Sequence, residues 1–396
     1  MTTLRIPAVY MRGGTSKGVF FEGKDLPRVH AERDALLLRV IGSPDPFGRQ
    51  ADGMGGATSG TSKVAVVSPS RRDDCDVDYL FGAVSIGEPV IDWSGNCDEL
   101  SAAVGPFAIV QGLVPAVDGI TQVRIWQQST SQRIDAWVPV RHGEVVEEGA
   151  FVEEGVPFAG AEIRMEFVEP DTAQARVLLP TGSVRDTLTV PGLGEVRATL
   201  LVAGGPAVFV RADALGLTGR ESLADLQGKR KIHAMLEALR AAAAVRMGLA
   251  ETAEEATRLR PSEPEIAWVA RPAAYRSSAG AEIAGERIDV LARILTAGRL
   301  NPAFTGTGSI ALAAAAALPG SVVGEVARTL PGVPTRIGHP SGTLTVGAEL
   351  TCVDGHWRFD KAVLSRSARR LMSGWVHLPS RPPALAPRQA QGQLWA

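Results

Sequence analysis

This sequence is short of several residue types and patterns, and each shortage removes a class of protein. Only three cysteines occur in 396 residues (Cys75, Cys97 and Cys352), with no CxxC pair and no His or second Cys at ligand spacing. A disulfide framework and a zinc site find no support, and a reducing compartment is expected. No Lys/Arg-rich run appears, and 41 basic against 43 acidic side chains leave a formal charge of −2, so no nucleic-acid partner is expected. The apolar run Ile310 to Leu318 is far too short to span a bilayer. The opening Met1 to Arg5 lacks the charged and apolar regions of a signal peptide, so a cytoplasmic location without membrane attachment is expected. What remains is a 45% hydrophobic, globular composition on a chain longer than one core usually serves, which predicts two domains.

The stretch Ser94 to Ala108 organises the first half. Leu100, Ala103, Val104, Phe107 and Ala108 recur at helix spacing, and Ala102, Ile109 and Val110 fill the other faces, which predicts a wrapped central helix. Asn96 followed by Glu99 reads as a capping box that starts it, with Cys97 at the first helical position. A thiol there tends to ionise, and the N–H groups beside it suit an anion. The alternative is a core helix that happens to begin with a small apolar residue.

Two glycine loops precede it. Arg12-Gly13-Gly14-Thr15-Ser16-Lys17-Gly18 joins the strands Ile6 to Met11 and Val19 to Phe21; it lacks Walker spacing, yet its two cations and two hydroxyls suit a carboxylate. Ala31 to Val40 reads as a short helix. The second loop, Gly48 to Ser62, carries Gly53, Gly55, Gly56 and Gly60 and ends at Lys63, where the strand Val64 to Val67 begins. Lys63 is either an edge charge reaching water or a partly desolvated base.

Val77 to Ile86 and Val90 to Trp93 read as strands before the central helix; strands then dominate from Gln122 to Leu179, including Ala175 to Leu179, and then the pattern repeats. Gly-Gly at 13–14 returns at 204–205, Val-Phe at 19–20 returns at 208–209, and Val64 to Val67 returns as Ile266 to Val269. Phe304-Thr305-Gly306-Thr307-Gly308-Ser309, leading an Ala-rich apolar helix to Leu318, echoes the 96–110 stretch. Two similar domains are expected, 1–185 and 186–373, each offering one helix start to a shared cleft, followed by a return segment and mobile tail over 374–396. One buried helix among many strands predicts an α+β fold with a bent sheet around each helix. Leu223 to Met247 reads as one amphipathic helix outside this repeat, and His339 to Gly342 as a turn between strands.

Pro7 to Phe21, Asp52 to Lys63, Gly95-Asn96-Cys97 with Ala103 to Ala108, and Gly338 to Gly342 together resemble the 2-methylaconitate isomerase (PrpF) family, which includes 4-oxalomesaconate tautomerase and 3-methylitaconate isomerase. The resemblance runs from about residue 5 to about residue 377. It implies a diaminopimelate-epimerase-like fold and cofactor-free movement of a double bond in an unsaturated di- or tricarboxylate by a 1,3-proton shift. It implies catalytic roles for Lys63 and Cys97, with Lys63 as base and Cys97 either reprotonating the far carbon or orienting the substrate. Arg12, Thr15, Ser16, Gly56, Asn96, Gly306, Thr307, Gly308, Ser309, His339 and Ser341 form the candidate substrate-binding set. No metal or cofactor is expected, and a homodimer is compatible with this reading. Where the family commonly has Cys-Gly-Asn, this chain has Cys97-Asp98-Glu99, two acids that oppose an incoming carboxylate. Thr305 stands where the amino-acid epimerases carry a second cysteine, which argues against a racemase of the same fold. A carboxylate-binding protein without activity is the third reading.

Overall fold

The computed structural model describes residues 3–169, 177–226, 228–296, 298–301, 304–330 and 332–379. In the first half the main strands are β1 (Thr3–Gly13), β2 (Ser16–Glu22), β3 (Lys63–Pro69), β4 (Val77–Val84), β5 (Gly119–Gln127), β6 (Gln132–Arg141) and β7 (Ile163–Val168). In the second they are β8 (Asp186–Val190), β9 (Gly194–Ala203), β10 (Gly205–Arg211), β11 (Glu265–Ala270), β12 (Val290–Thr296), β13 (Thr335–His339), β14 (Gly342–Val353) and β15 (His356–Arg366). A last strand, β16 (Ala368–Pro379), returns antiparallel along β1.

Pairing runs β16–β1–β2–β3–β4–β5–β6–β7, with β2–β3 and β4–β5 parallel and the other pairs antiparallel. The second half runs β8–β9–β10–β11–β12–β13–β14–β15, with β10–β11 and β12–β13 parallel and the others antiparallel. The two series have the same succession, and they join where β7 pairs with β15. The echoes in the sequence fall on matching places: Gly14 (φ 53°) and Gly204 (φ 69°) both turn the chain between the second and third strands of their series.

The run Val64 to Val67 shows no polar alternation because β3 is covered on both faces. Ala65 and Val67 belong to the central cluster, while Val64 and Val66 pack with Leu37, Val40 and Ile41 of α1 (His30–Ile41). The first central helix is broken into α2 (Asp98–Ser101) and α3 (Val104–Val110), not continuous as the spacing predicts. Pro106 is the cause: it has no N–H for the Ala102 carbonyl and its ring crowds that oxygen. Leu100, Val104 and Phe107 are nonetheless fully buried, and Phe107 packs 5.4 Å from the Phe20 ring.

Two further sequence expectations differ. The Leu223 to Met247 helix is a turn at Leu223–Leu226 and then α4 (Arg230–Arg246), parted at Gly228, whose φ is 77°. Leu236, Leu239 and Ala243 of α4 cover the outer face of the second half against Val208, Val210 and Trp268. Val177 to Leu179 form no strand; Leu178 and Leu179 are simply buried, and Ala175 and Arg176 lie outside the described residues. The second central helix, α5 (Gly306–Ala317), has all its residues from Gly308 to Ala316 buried, as an all-apolar helix must. Residues 380–396, where the mobile tail is expected, lie outside the described residues, and 374–379 are part of β16.

Candidate active site

The loop before Lys63 is held by one buried side chain. Gln50 is 1% exposed, and its Oε1 accepts hydrogen bonds from the Ala57 N–H at 2.8 Å and the Ser62 hydroxyl at 2.7 Å. Gly56 packs against Thr61 inside this loop, so it shapes the approach to Lys63. Lys63, read from the sequence as either an edge charge reaching water or a partly desolvated base, is half-buried and turned toward Cys97. Its Nζ donates to Ser16 Oγ at 2.9 Å and to Cys97 Sγ at 2.9 Å, and lies 5.7 Å from the centre of the Phe81 ring.

Cys97 caps α2 by position, with extended backbone (φ −126°), and is not its first helical residue. The expected capping box does not form. Asn96 instead accepts from the Ser101 hydroxyl at 3.1 Å and donates to Asp98 Oδ1 at 3.1 Å. Glu99 turns to the β1–β2 hairpin, where Oε1 accepts from Thr15 Oγ1 at 2.7 Å and Oε2 from Ser16 Oγ at 2.6 Å. Two hydroxyl donors outweigh the single backbone N–H that a capping box offers. Cys97, Lys63, Ser16, Glu99 and Thr15 therefore form one connected line of polar contacts.

Asp98 faces the second half. A Cβ on Gly306 would lie 1.8 Å from Asp98 Oδ2, so the start of α5 and the start of α2 meet at this carboxyl. Burial pushes the Asp98 carboxyl up to about 6; Arg366 opposes this, and the charges of Glu99 and Glu265 add to it. Thr305 caps α5, its hydroxyl accepting from the Gly308 N–H at 3.0 Å. The Ser309 N–H bonds the Thr305 carbonyl at 2.9 Å, and the Ser309 hydroxyl donates to the Gly306 carbonyl at 2.7 Å. The polar groups of Gly308 and Ser309 proposed for substrate are thus engaged in the cap; Gly306 and Thr307 supply the first-turn N–H groups that the cap does not use.

Arg12 holds the hairpin together, donating to the Gly14 carbonyl at 2.8 Å and to the Ser367 hydroxyl at 3.0 Å. Burial lowers its pKa, with Glu153 acting the other way. His339 and Ser341 stand at the β13–β14 turn. His339 is buried, its Nδ1 accepts from the Ser341 N–H at 3.3 Å, and burial with the nearby Arg293 lowers its pKa to about 4.

Three groups escaped the sequence reading. Glu265 opens β11 as Lys63 opens β3, and its Oε2 accepts from the hydroxyls of Thr305 at 3.0 Å and Thr307 at 2.9 Å. The alignment of Ile266 to Val269 with Val64 to Val67 already set Glu265 opposite Lys63, and Thr305 matches Cys97 as the residue before its helix. Arg366, 7% exposed at the end of β15, has no hydrogen-bond partner for Nε and sits 3.7 Å from Glu153 Oε1. Glu153 is itself buried and tied by Oε2 to the Ser367 N–H at 2.9 Å. A cleft of about 630 Å³ opens beside Glu265; Asn96, Asp98, Gly204, Gly205, Glu265 and Thr307 line it, and Lys63, Cys97, Arg366 and Glu153 do not. Among the described residues no three His, Cys, Asp or Glu side chains are grouped to hold a metal ion, and no helix is long and apolar enough to cross a membrane.

The chain is 48% identical over 387 residues to a 2-methyl-aconitate isomerase of Cupriavidus necator, covering 95% of this chain and 98% of that protein. It is 39% identical over 377 residues to a 3-methylitaconate isomerase of Eubacterium barkeri, covering 95% and 97%. A crystal structure of a methylitaconate-delta-isomerase superimposes with a TM-score of 0.88 at 37% identity, over 98% of this chain and 100% of that one. The family model for the PrpF protein matches residues 3–379. Strand succession, helix starts and these likenesses agree, and the chain belongs to the PrpF protein family.

Proposed function

We propose that this chain is a cofactor-independent isomerase that moves a C=C bond by a 1,3-proton shift in an unsaturated di- or tricarboxylate. The observation that carries it is the Lys63 Nζ–Cys97 Sγ contact at 2.9 Å, set at a helix start within a half-buried site. The reaction removes a proton from carbon next to a carboxylate and returns one two carbons away, which needs a base and a proton donor held together. Because the two groups touch, a proton taken by either is exchangeable with the other. Lys63 takes the proton and Cys97 returns it or orients the substrate. The developing dienolate is stabilised by the positive charge of the pair and by N–H groups at the start of α5. Residues 1–185 and 186–373 act in this reading as two domains closing on the substrate, in the cytoplasm. A racemase reading is weaker, because Thr305, the counterpart of Cys97, is a hydroxyl and donates to Glu265.

The test is proton NMR in deuterium oxide with cis-aconitate, 2-methylaconitate, methylitaconate and 4-oxalomesaconate. Isomerised product with deuterium at the allylic carbon of at least one acid is expected. Binding without exchange of any of them would leave a carboxylate-binding protein.

A further inference from the structure

The β1–β2 hairpin presents two hydroxyls, and both are already bonded to a carboxylate of this chain. Glu99 spans them with one oxygen each, 2.7 Å from Thr15 Oγ1 and 2.6 Å from Ser16 Oγ, as a bound carboxylate ligand would. Each hydroxyl has one proton to give, so neither has another for a ligand. Ser16 Oγ is further engaged as acceptor from Lys63 Nζ at 2.9 Å. The Glu99 side chain is also seated: a Cβ on Gly14 would lie 2.8 Å from Glu99 Cβ, and one on Gly13 would lie 2.4 Å from the Glu99 carbonyl oxygen. The hairpin and the helix start are thus fitted to each other through this residue.

We propose that Glu99 fills the hairpin's carboxylate subsite from within the chain, so that the substrate is an unsaturated dicarboxylate carrying no third carboxylate at that end. This rests on the isomerase reading above. A tricarboxylate placed with its third group on Thr15 and Ser16 must displace Glu99 and leave two anions facing each other near Lys63. Asp98 adds a further acid on the same helix start. A dicarboxylate avoids that encounter and keeps the N–H groups at the start of α5 for its own carboxylates.

The experiment compares kcat/KM for methylitaconate, a dicarboxylate, with that for cis-aconitate, a tricarboxylate, in the wild-type chain, Glu99→Gln and Glu99→Asn. The wild type is expected to favour the dicarboxylate at least tenfold, and both variants to reduce that ratio at least fivefold through a lower KM for the tricarboxylate. Circular dichroism and thermal unfolding check that the variants fold, and the wild-type ratio alone is decisive if they do not. A wild type that handles both acids equally or prefers the tricarboxylate overturns the inference while the isomerase reading stands. So does an unchanged ratio in folded variants, including an equal fall of kcat on both acids, which would make Glu99 a positioning residue for Lys63 through Ser16. No isomerisation of any acid by the wild type overturns the isomerase reading and the inference with it.

Discussion

Replacing Asp98 by Asn is expected to stabilise the protein at neutral pH and to do nothing in acid. The Asp98 carboxyl is pushed from 3.8 to about 6, mainly by burial, against the attraction of Arg366. An acid with a raised folded pKa binds its proton more tightly folded than unfolded. The stability contributed by Asp98 is therefore fullest below about pH 4, falls as pH rises toward 6, and stays level above that. The gap corresponds to about 3 kcal/mol at pH 8. With unfolding entropy of about 2.1 cal/mol/K per residue, that is a rise of about 3–4 °C in Tm for a chain of this length. Asn keeps an oxygen for the Asn96 amide, which donates to Asp98 at 3.1 Å, so that bond is not the source of the difference. Calorimetric scans of both proteins between pH 4 and 8 read the effect. A Tm difference that does not change with pH, or a less stable variant at pH 8, would refute the reasoning.

His339 should act in the opposite sense. Its pKa is lowered to about 4 by burial and by Arg293, so the folded protein loses stability as pH falls from about 6.5 toward 4, and His339→Gln should flatten that limb in denaturant titrations. Gly13→Ala, whose Cβ would lie 2.4 Å from the Glu99 carbonyl oxygen, should cost about 1–3 kcal/mol in urea unfolding. Gly60→Ala, whose nearest neighbour would lie at 3.9 Å, should stay within about 0.5 kcal/mol and serves as its control.

Much of the scaffold was legible because the apolar runs are unbroken where both sheet faces are covered, as at Val64 to Val67. The Gly-Gly echoes were legible too, since each marks a turn that needs positive φ. The Lys63–Cys97 pairing came from motifs rather than periodicity, which left Lys63 between water and the interior. What was illegible is tertiary. Helix spacing carried the central helix through Ala102, although Pro106 four residues on removes its hydrogen bond. Glu99 three residues after Asn96 fits a capping box by local spacing, yet hydroxyls more than eighty residues away in sequence offer it two donors. Gln50 and Arg366 are polar residues in loop or strand-end settings, and nothing in their neighbours announces that both are buried.

The central claim is that Lys63, in contact with Cys97, handles the proton. It is tested most directly by kcat/KM of Lys63→Ala on whichever acid the wild type isomerises fastest, with thermal unfolding confirming the fold. Removal of a general base predicts a loss of about 100- to 10,000-fold. A folded variant that keeps more than a tenth of the wild-type value would contradict the account.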